Sequence, residues 1–113
     1  MIVIKDTDVL KEVLCGFDPV IADIISFIVD KYEMATITSG YREGDSGVHG
    51  QKPCRGIDLR SWIYIDPQKV EDAVNRKWQY DPKRPEKKCA MLHKTKTGAV
   101  HLHLQTHPRS IKL

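Results

Sequence analysis

Ser39-Gly-Tyr-Arg-Glu-Gly-Asp-Ser-Gly-Val-His-Gly-Gln-Lys-Pro-Cys-Arg-Gly-Ile-Asp-Leu-Arg60 holds most of the chain's seven glycines and almost no apolar residue before Ile57 and Leu59. Such a stretch makes a poor core element and a good site loop, delivered at its end onto a strand. Its partner lies far downstream, in Val100-His101-Leu102-His103-Leu104. With a period of two, His101 and His103 share one face of a strand while Val100, Leu102 and Leu104 share the other. Asp58, set between Ile57 and Leu59, faces away from the aliphatics in the same manner.

Two imidazoles on a strand, with one histidine and one aspartate from a loop-to-strand junction, suit a mononuclear zinc site. His49, Asp58 and His103 supply two nitrogens and one carboxylate oxygen. A catalytic zinc keeps a fourth position for water, whose pKa it lowers, so this donor set points to hydrolysis. His101 then stands beside the metal, placed to accept a proton or to steady a tetrahedral intermediate. Arg42 offers a permanent charge and a fork of donors for a developing oxyanion or a substrate carboxylate. Cys54 lies in the same loop as His49, and a thiolate there would close the site and make it structural. His93 and His107 border the downstream hairpin and read as surface residues, with lining of the cleft as the alternative.

Around these residues the chain reads as one domain, residues 1–113. Ile2-Val3-Ile4 is a short edge strand or apolar arm, and Asp8 to Leu14 has helical spacing. Asp18-Pro19 and Asp66-Pro67 are helix starts, an acid followed by proline at the first helical position. They predict one helix to about Tyr32 and another to Trp78 or Tyr80. Met34 to Thr38, Ile57 to Arg60 and Trp62 to Ile65 read as strand material. Cys89 to His93 and Ala99 to Thr106 form a hairpin around Lys94 to Gly98. The expected fold is α+β: a small antiparallel sheet with the site on one face and the two Asp-Pro helices on the other.

A composition of 41% hydrophobic and 29% charged residues belongs to an ordinary globular protein; its net charge of +3 leans mildly toward an anionic polymer such as a cell wall or nucleic acid, though most proteins with this balance use it only for solubility. Three cysteines at unrelated spacings favour reduced thiols over a disulfide framework. The most apolar segment, Val20 to Val29, is broken by Asp23 and too short to span a bilayer, so no membrane insertion is expected. Met1 to Asp6 lacks a basic leader before a long apolar run, so no signal peptide is expected and synthesis is read as cytoplasmic. The basic connector Lys83 to Lys88 is proline-broken and lacks interleaved aromatics, so no nucleic-acid partner is expected.

In order, Ser39-Gly-Tyr-Arg42, Ser46 to His49, Gly56-Ile-Asp58-Leu59 and His101-Leu-His103 resemble the signature of the LAS metallopeptidases. That group comprises lysostaphin-type enzymes, D-Ala-D-Ala metallopeptidases and the hedgehog signalling domain, and the likeness is nearest to small carboxypeptidase-like proteins of phages and prophages. It implies a hedgehog/DD-peptidase-like fold, with Zn2+ on His49, Asp58 and His103. It also implies substrate contacts from Arg42 and Ser46, and a catalytic role for His101 beside Arg42. The activity implied is hydrolysis of peptide bonds in bacterial peptidoglycan, by a monomer of the endolysin kind released to the wall through a phage lysis pore. The alternative implied by the hedgehog domain is a zinc-binding interaction module without catalysis. Two departures stand out. Eight residues, Gly50 to Ile57, separate His49 from Asp58 where the family has six, and Val100 stands where the D-Ala-D-Ala enzymes place glutamate. The second departure aligns the chain with the His-x-His branch and makes endopeptidase action as natural as carboxypeptidase action.

Overall fold

The computed structural model describes residues 1–113. Its central element is a five-stranded sheet in the order β1 (Ile2–Ile4), β2 (Ala35–Ser39), β3 (Gly56–Arg60), β6 (Val100–Gln105), β5 (Ala90–Lys94). The sheet is mixed, not antiparallel throughout as expected. β1 runs parallel to β2, pairing Ile2 with Ala35 and Ile4 with Ile37, whereas the other pairs are antiparallel. The parallel pair follows from the connection: α1 (Thr7–Leu14) and α2 (Pro19–Tyr32) lie between the two strands and return the chain in the same direction.

Alternation along the two central strands divides the sheet. Ile57, Leu59, Leu102 and Leu104 are fully buried in a core shared with Ile21, Ile24 and Ile28 of α2 and Val70 and Val74 of α3 (Pro67–Lys77). Val9 of α1 completes the same core. Both Asp-Pro dipeptides open their helices as expected, with proline in the first turn. Asp18 also accepts from Val20 N at 3.4 Å. The opposite face of β3 and β6 is left for Asp58, Arg60, His101 and His103.

One expectation fails locally. Trp62 to Ile65 is a turn segment, with Trp62 73% and Ile65 107% exposed. Pairing of β3 with β6 ends at Arg60 and His101, and Ser61 donates to Val100 O at 2.7 Å, so the chain leaves the sheet there. Tyr64 is held instead by donating to Met34 O at 2.8 Å. At its far end α3 stops at Lys77, because Trp78–Gln79 (β4) pairs with Ile111–Lys112 (β7) in a second, two-stranded sheet. No helix is long and apolar enough to cross a membrane.

Candidate metal centre

Asp58 and His103 face each other across the β3–β6 ladder, as the two alternating patterns require. A register irregularity between Ile37 and Ser39 of β2 brings Ser39 opposite Asp58 as well. The loop from Gly40 to Arg55 then folds back over this point and adds His49 from a single 3-10 turn, Val48–Gly50. Arg42 N donates to His49 O at 2.8 Å and Arg55 N to Val48 O at 3.1 Å, which pins the turn on both sides. Glycine is required at two of its contacts: a Cβ on Gly50 would overlap the Asp45 carbonyl, and one on Gly56 would lie 2.5 Å from Val48 Cγ2.

The result is a buried His49, Asp58, His103 group whose ligand atoms lie within 4.8 Å of one another. Nδ1 of His103 is 2.8 Å from Oδ1 of Asp58, and Nε2 of His49 is 3.4 Å from Oδ2. Oδ2 also accepts from Ser39 Oγ at 2.9 Å and from Arg42 Nη2 at 3.3 Å. The other ring nitrogen of His49, Nδ1, lies 2.8 Å from Gly40 O. A carbonyl there requires Nδ1 to carry hydrogen, which leaves the Nε2 lone pair aimed at a carboxylate unless a proton or a cation lies between them.

The titration behaviour has the same origin. Burial by itself would lower the pKa of His49, but the hydrogen bond and charge of Asp58 outweigh it and raise the value. Burial would raise that of Asp58, yet hydrogen bonds from His103 and His49 hold it far below the usual carboxylate range. The site thus stabilises positive charge between its imidazoles and carboxylate. Two imidazoles and an oxygen suit a borderline first-row divalent ion, and the backbone partner of His49 is the kind of outer contact that orients a metal-binding ring. The residues present therefore fit a metal ion.

Cys54 is outside the group. It is 1% exposed, and its thiol donates to Gly56 O at 3.1 Å. Burial pushes that thiol's pKa up, the reverse of what a metal-binding thiolate needs. The eight-residue connection from His49 to Asp58 is anchored here: Cys54 bridges to Phe17, and Asp18 N donates to Cys54 O at 2.8 Å.

The group opens into a cleft of about 340 Å³ lined by Arg42, His49, Asp58, Met91, His93 and His103. His93 was expected at the surface, with lining of the cleft as the alternative. It is exposed, but it also walls the cleft, its ring 5.6 Å from that of His103. The cross-strand register of the hairpin, which pairs His93 with His101, was the signal that bears on it. His101 lies one pleat further along β6 and lines a neighbouring hollow with Lys5, Thr38, Arg60 and Trp62. Ser46 is exposed in the loop and does not line the cleft. His107 lies beside Tyr80, their ring centres 5.6 Å apart and the planes tilted, away from the group.

No protein-family model, curated protein or solved structure matches the chain.

Proposed function

We propose that this protein is a zinc-dependent peptidase acting on the peptide part of bacterial peptidoglycan. The observation that carries the reading is the convergence of His49, Asp58 and His103, in the order and types of the LAS signature, with the His49 tautomer set by Gly40 O. The cleft beside them is open to solvent-borne substrate, as a hydrolase requires.

Zinc held by His49 Nε2, Asp58 and His103 would supply Lewis acidity and lower the pKa of water in the cleft. The chain's own residues supply the rest. Asp58, already charged, balances the cation. Arg42 is anchored through Nη2 to Ser39 Oγ at 2.8 Å and to Asp58, so its guanidinium is oriented at the cleft mouth. From there it holds a substrate carboxylate or offsets negative charge developing on the attacked carbonyl. His93, on the cleft wall, takes and returns the proton. His101 faces the neighbouring hollow, its ring 6.4 Å from that of His93. The protein works as a monomer, of the kind released to the wall through a lysis pore.

The test is elemental analysis of protein purified without a histidine tag, beside hydrolysis of purified peptidoglycan fragments followed by mass spectrometry. Wild type is expected to hold about one equivalent of zinc, and His103→Ala to lose zinc and hydrolysis together. His93→Ala is expected to keep zinc and lose about a hundredfold in rate. Bound zinc without hydrolysis of any fragment would assign the site to a non-catalytic zinc module, and an absence of metal in wild type would end both readings.

A further inference from the structure

The hollow next to the metal centre belongs to the same sheet face but has a different chemistry. Its polar wall is Lys5, Thr38, Arg60 and His101, completed by Trp62, Ala99 and Val100, around a volume of about 240 Å³. No carboxylate lines it. Neither Lys5 nor Arg60 has an acidic partner within ion-pair distance, whereas Arg42, Arg55, Arg84 and Arg109 all do. The nearest acid in sequence, Asp6, is engaged elsewhere, accepting from Val9 N at 2.9 Å to cap α1. The Arg60 guanidinium lies over the Trp62 ring, 5.0 Å from its centre. No hydrogen bond or ion pair within the chain engages its N–H donors, which suit a planar anion.

Position ties the hollow to the cleft. Arg60 and His101 are a cross-strand pair, and Asp58 and His103 are the like-facing pair two residues away. Two residues of strand span about 6.8 Å. An extended peptide repeats its like-facing side chains at the same interval. A backbone carbonyl seated over the metal group therefore brings a side chain within reach of Arg60 and Lys5. His93 stands between the two hollows, its ring 5.6 Å from His103 and 6.4 Å from His101.

We infer that Lys5, Arg60 and His101 form a carboxylate subsite, selecting peptides with an acidic group about 7 Å from the bond addressed by the metal group. The inference rests on the peptidase reading for the role of that bond, but not for the binding itself. It gives the exposed Trp62 and the unpaired cations one purpose, and it makes an acidic peptide the substrate class.

The indole N–H resonance of Trp62, assigned by its loss in Trp62→Phe, reports occupancy of the hollow without catalysis. Zinc-loaded full-length protein is titrated with two families of blocked alanine peptides, one with a single glutamate moved along the chain and the other with glutamine in its place. The best glutamate peptide is expected to bind about tenfold tighter than its glutamine counterpart. Lys5→Gln/Arg60→Gln should abolish that difference while leaving the zinc content and the glutamine affinity unchanged. Equal affinities for the two families, or a difference that survives the double substitution, would overturn the subsite. So would inorganic phosphate shifting Trp62 as strongly as the glutamate peptide, since the hollow would then be a general anion site. Cleavage without a glutamate preference would remove the subsite and leave the peptidase; a preference without cleavage would do the reverse.

Discussion

His49 is held between two acceptors, Gly40 O at 2.8 Å from Nδ1 and Asp58 Oδ2 at 3.4 Å from Nε2. A neutral imidazole has one N–H and can satisfy only one of them. Engaging both acceptors calls for a proton or a cation at Nε2, and these two exclude each other. A metal ion bound here would compete with the proton for one atom, Nε2.

That competition fixes a pH dependence. In metal-free protein the raised pKa of His49 contributes stability that is fully present below its ordinary value of 6.5 and lost as pH rises through the folded value. The depressed pKa of Asp58 contributes stability present above 3.8 and lost as pH falls toward the folded value. Metal binding needs neutral His49, so affinity should fall with pH below the raised pKa by up to about tenfold per unit. Thermal melts of chelated and zinc-loaded protein from about pH 8 to about pH 5 should show the gap in Tm closing toward acid. A gap that stays constant over that range would remove His49 from the ligand set.

Cys54→Ser should retain zinc. The thiol donates to Gly56 O at 3.1 Å, inside the loop and away from the ligand atoms, and a hydroxyl can make the same bond. The expected cost is about 1 kcal/mol of stability, read by urea denaturation. Zinc lost from this variant while it still folds would restore the thiolate as a ligand.

How far the sequence carried these assignments depended on whether the deciding interaction was local. Asp18-Pro19 and Asp66-Pro67 act within one helical turn, and both helices begin where those dipeptides stand. The alternation of Val100 to Leu104 is equally local, and it places Leu102 and Leu104 inside with His103 opposite Asp58. The parallel pairing of β1, by contrast, is decided by two intervening helices and not by Ile2-Val3-Ile4. Trp62 to Ile65 has strand-like composition but no neighbouring strand to pair with once β6 has ended. β4 and β7 form from two-residue segments more than thirty positions apart, below any periodic signal. In the site, residue types announced His49, Asp58 and His103, but the part played by His93 rests on hairpin register and the His49 tautomer on a backbone carbonyl.

Gly50→Ala tests the loop without touching a ligand. A methyl group at this position overlaps the Asp45 carbonyl, so the 3-10 turn that carries His49 must move. Zinc affinity should drop at least about tenfold, while stability falls by about 1–3 kcal/mol and the far-ultraviolet circular dichroism is unchanged. Wild-type zinc affinity in this variant would show that the turn does not position the ring.

Asp18→Ala tests the clasp that closes the site from behind. Oδ2 of Asp18 accepts from Arg55 Nη1 at 2.9 Å and from the buried Thr106 Oγ1 at 2.6 Å, and Thr106 N donates to Arg55 O at 3.0 Å. Arg55 immediately precedes β3 and Thr106 immediately follows β6, so one carboxylate ties together the adjacent ends of the two strands that carry Asp58 and His103. Removing it strands a largely buried guanidinium and a buried hydroxyl, at an expected cost of about 3–5 kcal/mol in urea denaturation. Asp18→Asn keeps an acceptor for both donors and should lose less. If the clasp sets the register of the site as well as the stability of the fold, zinc affinity should fall in the same order, wild type above Asp18→Asn above Asp18→Ala. A stability loss with zinc affinity unchanged in both variants would confine Asp18 to capping α2 and anchoring the loop, leaving the β3–β6 ladder alone to hold Asp58 against His103.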